Sequence, residues 1–198
     1  MATYRIDPDT LREVPGDVTA VWAHVEQLEA RGPDGDGERV VWLRILGALG
    51  SALALGWSDV ARRGGPPTLE AAAVTVPRTV PPAAYRPLLR VAHVLHWQRR
   101  HADADTVVDL VRAAASARAE AAVQEEVRRD CAAVLAFADQ HQGKVRYDEG
   151  RYAEAAALFA AALARREREQ APSDQVVSSR QALDAARRRQ AGVAPTLV

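Results

Sequence analysis

His93 and His96 stand three residues apart, and on a helix that spacing brings two imidazoles within reach of one ion, with His101 following. A metal centre needs a third and a fourth ligand. Asp103 and Asp105 are the nearest carboxylates in sequence, but they are expected beyond the end of that helix, and His96 falls on the flank of an apolar face made by Leu88, Ala92 and Leu95. A packed, hydrogen-bonded role is the expectation for these rings, and no metal or other cofactor is assigned. Glu125, Glu126 and Asp130 place carboxylates on another helix, the last two facing the same way. No histidine stands at the spacing that helical di-iron sites use. Cys131 has Asp130 beside it and apolar residues after it, which favours an inert packed thiol over a nucleophile. A phosphate-binding glycine loop, a serine-nucleophile motif and zinc-finger spacing are all missing, so no catalytic residue is expected.

Arg165, Arg166 and Arg168 with Arg187, Arg188 and Arg189 form the most basic stretch, and an arginine-rich helical end can contact phosphates. Glu167, Glu169 and Asp184 interrupt it, and aromatic residues for base stacking are missing from this region. A solvated, ion-paired helix surface is the expectation. A regulatory accessory role on nucleic acid is the alternative that this stretch keeps open, and a metal-dependent helical-bundle enzyme, resting on the histidines alone, is a third. Lys plus Arg equal Asp plus Glu at 26 each, so no global field draws the chain to nucleic acid or anionic lipid. The most apolar segment, Trp42 to Trp57, falls short of the ~20 residues that span a bilayer. One cysteine and an N-terminus without an apolar leader point to the cytoplasm, as a monomer or homodimer.

The elements that must hold these side chains are helices. Abundant Ala, Leu, Arg and Glu favour helix nearly everywhere, and strand content close to nil is predicted. Residues 1–16 read as an N-terminal tail. Asp17 caps a first helix with Val21, Val25 and Leu28 at helical spacing, and the Gly32 to Gly37 run ends it in a polar turn. A second helix, from about Glu38 to Ala61, shares Val41, Ile45, Leu49 and Leu53 on one face, so that residues 17–63 make a helical hairpin. Pro66, Pro67, Pro77, Pro81 and Pro82 then forbid a continuous helix across residues 64–82. That segment is a linker or an ordered strap, with a short helical turn at Leu69 to Ala73 capped by Thr68. Val74, Val76 and Val80 argue against free disorder. Residues 83–192 follow as a helical repeat region. It holds a helix from Ala83 to His101 and one capped by Asp103 or Asp105. A long helix runs from about Ala119 to Glu149, another from Tyr152 to about Arg168, and a last one after Pro172 carries Val176, Leu183 and Ala186 as a thin apolar seam. Residues 193–198 read as a C-terminal tail.

Within that region Gly143, Tyr147, Gly150, Tyr152, Glu154, Ala155, Phe159, Ala162 and Leu163 stand in an ordered series. Over residues 136 to 169 the series resembles the tetratricopeptide repeat (TPR) family, whose unit of about 34 residues is a pair of antiparallel helices. The resemblance implies that Gly143 lets the paired helices approach, that Gly150 makes the turn and that Ala155 is small where the helices cross. Tyr152, Phe159 and Ala162 complete the repeat's packing set. Asp139 and Gln142 depart from the family, which prefers an aromatic and a leucine there, and Glu167 stands where it ends the unit with proline.

The implied fold is all-α, built of stacked antiparallel helical hairpins in a TPR-like right-handed solenoid or bundle. The implied function is a non-catalytic protein-binding scaffold or adaptor that takes a protein or peptide segment on a concave face. Counting along the repeat puts Gln140, Lys144, Tyr147 and Asp148 on that face. Lys144 would meet a carboxylate, Tyr147 would offer a flat amphipathic contact, and Gln140 and Asp148 would hydrogen-bond backbone.

Overall fold

The computed structural model describes residues 2–192. Among these the chain is all-helical apart from two three-residue strands, and it divides into two compact units. Unit 1 holds residues 2–7 and 12–114; unit 2 holds residues 8–11 and 115–192. The 64–82 segment thus lies inside unit 1. The expected tail at 193–198 lies outside the described residues. No helix among the described residues is long and apolar enough to cross a membrane.

In unit 1 the first sixteen residues are not a tail. β1 (Tyr4–Ile6) and β2 (Glu13–Pro15) pair antiparallel, with Tyr4 opposite Pro15 and Ile6 opposite Glu13. Strands this short carry too few residues to show an alternating pattern. Asp17 caps α1 (Val18–Ala30) as expected, its carboxylate accepting from the Thr19 and Ala20 N–H groups, and Val21, Val25 and Leu28 are buried.

The glycine-rich run beyond α1 does not remain a turn. Gly32, at φ 60°, reverses the chain, and Pro33 opens α2 (Pro33–Ile45) from the first helical position. A Cβ at residue 35 would meet the Leu28 carbonyl oxygen at 2.1 Å, so only glycine lets the end of α1 pass this close to α2. Packing here outweighs a helix penalty of about 1 kcal/mol per glycine. The single helix expected from 38 to 61 is likewise two. Gly47, at φ 78°, ends α2 as the Gly47 N–H bonds the Arg44 carbonyl and the Ala48 N–H the Leu43 carbonyl, and α3 (Leu49–Arg62) starts afresh. Arg44 on α2, itself buried, donates to the largely covered Glu13 of β2 at 2.9 Å, and its guanidinium lies 4.5 Å from the centre of the Trp97 ring.

The proline-rich segment is ordered. It contains α4 (Leu69–Val74), capped by Thr68 through the Ala71 N–H, and 3-10 turns at Pro77–Thr79 and Pro82–Ala84. Of its three valines only Val80 is buried; Val74 and Val76 are exposed. α5 (Tyr85–Trp97) crosses α3 where a Cβ at Gly56 would lie 2.8 Å from Val91. It stops short of His101 because Arg99 takes φ 61° and the Arg100 N–H bonds the Leu95 carbonyl. α6 (His101–Ala121) then begins two residues before Asp103.

Unit 2 is built on α7 (Glu125–Asp148), α8 (Tyr152–Arg168) and α9 (Ser173–Gln190). Gly150, at φ 75°, turns α7 into α8, with the Arg151 N–H bonded to the Arg146 carbonyl. The pair is antiparallel: Tyr147 meets Tyr152, Gly143 meets Phe159, and Asp139 meets Arg165. Gln170, at φ 52°, turns α8 into α9, and Arg166 meets Ser179 across that second antiparallel pair. α9 therefore runs parallel to α7, with Gln140 on Ser179 and Tyr147 on Arg189. The core joins Tyr147, Ala155, Phe159, Ala182, Leu183 and Ala186 with Leu11 of the 8–11 segment. Leu11 sits there at φ 55°, a left-handed backbone that costs a side-chain-bearing residue about 1–2 kcal/mol.

Candidate partner-binding site

The four side chains expected on an open groove stand on the last two turns of α7, and the structure does not leave them open. Gln140, Lys144 and Tyr147 are buried and Asp148 is half-buried. Their burial follows from the helices on either side. Gln140 faces α9, where its Oε1 accepts from Ser179 Oγ at 2.7 Å. The same hydroxyl accepts from Arg166 Nη1 at 2.7 Å, and that guanidinium also donates to the Gln175 carbonyl at 2.8 Å and lies 5.1 Å from the Phe137 ring centre. Burial pulls the Arg166 guanidinium down to about 10, partly opposed by Asp174.

Tyr147 has a different neighbourhood. Its hydroxyl donates to the Asp9 backbone carbonyl at 2.9 Å and accepts from Arg189 Nε at 3.4 Å. The hydrogen bond to Tyr147 holds the Arg189 guanidinium above its ordinary value. Leu11, two residues on, is buried among Tyr147, Leu183 and Ala186. One phenol and one apolar cluster therefore receive the turn at residues 8–11. The sequence offers no signal for this: residues 8–11 have no periodicity, and their partners lie well over a hundred positions away.

The two departures from the repeat pattern in α7 differ in kind. Asp139 is buried and accepts from Arg165 of α8 at 3.1 Å, so an ion pair replaces an aromatic contact at the helix crossing. Gln142 is half-buried. The small positions fit the close approach expected of them: a Cβ at Gly143 would lie 2.6 Å from the Phe159 ring, and Ala155, Phe159 and Ala162 are fully buried.

His93, His96 and His101 of unit 1 lie together. His93 and His96 are buried with their rings stacked, centroids 5.9 Å apart at 9°. The His101 ring is tilted against His96 at 5.8 Å. Glu125 pairs with Arg128 on the first turn of α7, and Cys131 is buried. Of the arginine-rich stretch, Arg165 is paired with Asp139, Arg166 is buried and Arg189 is on Tyr147.

No family model, curated protein or solved structure matches this chain.

Proposed function

We propose that the chain is a non-catalytic binding adaptor of tetratricopeptide type, whose unit 2 holds an extended segment of a partner protein against α7 and α9. The observation that carries this reading is the seat of residues 8–11. A turn of the chain rests there with the Asp9 carbonyl on the Tyr147 hydroxyl, which Arg189 also contacts, and buries Leu11 in the apolar cluster of the helices. Helical hairpins that recognise segments do so with a few side-chain anchors around an apolar socket, and all three parts are present. Of the four side chains expected at the groove, Tyr147 is the one whose partners fit recognition of a segment. Gln140 binds α9 instead. Of the six arginines in the basic stretch, Arg165, Arg166 and Arg189 are engaged inside unit 2, while Arg168, Arg187 and Arg188 are exposed.

The test is a selection of short segments from a displayed peptide library on the purified chain, followed by affinity measurement on variants. Enriched segments are expected to bind the wild type and to lose about 0.5–1.5 kcal/mol on Tyr147→Phe, which removes only the hydroxyl. Enrichment of nothing, or of segments indifferent to both Tyr147→Phe and Arg189→Ala, overturns the proposal.

A further inference from the structure

Two arginines among the described residues are buried, and their surroundings differ in kind. Arg44 has the Glu13 carboxylate at 2.9 Å. Arg166, only 4% exposed, lies 5.1 Å from the centre of the Phe137 ring and pairs with no carboxylate of the described residues. Its guanidinium is used on one side alone. Nη1 donates to the Gln175 carbonyl at 2.8 Å and to Ser179 Oγ at 2.7 Å, whereas Nε is fully covered and meets no acceptor among the described residues. Gln140 repeats the pattern across the same hydroxyl. Its Oε1 accepts from Ser179 Oγ at 2.7 Å, and its Nε2, also fully covered, likewise meets no acceptor among those residues. We infer that Nε of Arg166 and Nε2 of Gln140 belong to an anion subsite inside unit 2, and that its ligand is a small carboxylate group.

The subsite uses neither Tyr147 nor residues 8–11, so it stands or falls independently of the segment-binding reading of unit 2. Its chemistry follows from what the buried groups require, which is acceptors and one negative charge. A buried N–H without an acceptor loses its hydration and gains nothing in return. A buried guanidinium without a countercharge is costlier still. Burial draws Arg166 down to about 10, and Asp174, exposed in the first turn of α9, opposes this only in part. Water supplies an acceptor but no countercharge. A carboxylate supplies both, and its two oxygens match the parallel N–H groups on the Nε and Nη2 edge of a guanidinium. Phosphate brings up to two charges against one cation, and the next guanidinium along α8, that of Arg165, is already engaged by Asp139. Because so little of Arg166 is open, the group that enters must be small.

The probe is sodium acetate, added to the full chain at constant ionic strength with sodium chloride as the reference, and the readout is the folded-to-unfolded ratio from urea unfolding. A single site that exists only in the folded chain multiplies that ratio about tenfold for each tenfold rise in ligand above its dissociation constant. Acetate is expected to do this, with the Nε–H NMR signal of Arg166 moving to a saturated position over the same range. Gln140→Glu puts a carboxylate on the Ser179 hydroxyl beside Arg166, so that variant should be more stable than the wild type in chloride and indifferent to acetate. A ratio that is the same in acetate and chloride overturns the inference, as does an equal gain in phosphate. A gain in acetate that Gln140→Glu retains in full does the same. If Gln140→Glu loses its helical signal, the wild-type Arg166 Nε–H signal decides, and a signal that acetate leaves in place counts against the subsite. A short acetylated peptide with a free C-terminus, and its C-terminal amide, separate the sources of the carboxylate. Response to acetate alone supports a free acid, response to acetate and the free-ended peptide supports a chain end, and response to the amide overturns the inference.

Discussion

A Cβ added to Gly143 would lie 2.6 Å from Cε1 of Phe159, closer than two carbons can approach. The crossing of α7 and α8 is thus set by the absence of a side chain on one helix and a fully buried ring on the other. Gly143→Val must push the Phe159 ring out of its socket. Overpacking of this kind costs about 1–3 kcal/mol, and the better helix propensity of valine returns only a few tenths. Chemical denaturation should show the midpoint falling accordingly, and an unchanged midpoint would mean the helices do not cross there.

Glu13 and Arg44 form the second relationship open to direct test. Arg44 is buried and Glu13 largely so, 2.9 Å apart, and Arg44 lies over Trp97. Glu13→Ala leaves a buried guanidinium without its carboxylate, and losses of about 3–5 kcal/mol accompany such one-sided deletions. Because the pair is shielded from solvent, the loss measured by thermal or urea unfolding should change little between low and high salt. A surface pair would lose most of its effect in salt.

Gln170 ends α8 in the left-handed region without being glycine, its N–H on the Glu167 carbonyl and that of Ala171 on the Arg166 carbonyl. Gln170→Gly should relieve that strain and raise stability by about 0.5–1 kcal/mol, after the extra freedom glycine gives the unfolded chain. The expected readout is a melting temperature above the wild type, and a lower one would show that the glutamine side chain contributes more than its backbone costs.

These turn residues also mark what could be read in advance. Gly150 announces the α7 to α8 turn, and the regular stripe of Tyr152, Ala155, Phe159 and Ala162 places the next helix from Tyr152 to about Arg168, where it is found. Arg99 and Gln170 adopt the same left-handed backbone without the residue type that advertises it, so the end of α5 was placed too late. In the Gly32 to Gly37 run the error went the other way. Glycines were read as a turn, whereas Gly35 serves a close crossing that only the folded partner reveals. At the candidate site, Tyr147 was legible from its place in the repeat-like series. Arg189 and Leu11 were not, because no local pattern links positions so far apart in sequence.

The membership of Leu11 and Asp9 in unit 2 also sets an order of events. The hydrogen bond from Tyr147 to Asp9 spans 138 positions, and Leu183 and Ala186 of α9 complete the cluster around Leu11. During synthesis the first dozen residues emerge long before any of these partners exist. Unit 1 can build its helices from neighbouring sequence while Leu11 waits exposed, and the socket closes only once α9 has left the ribosome. Contacts of such long range form late and slowly. The turn at residues 8–11 therefore joins α9 only after the whole of unit 2 has been made, and any delay there leaves an apolar cluster exposed.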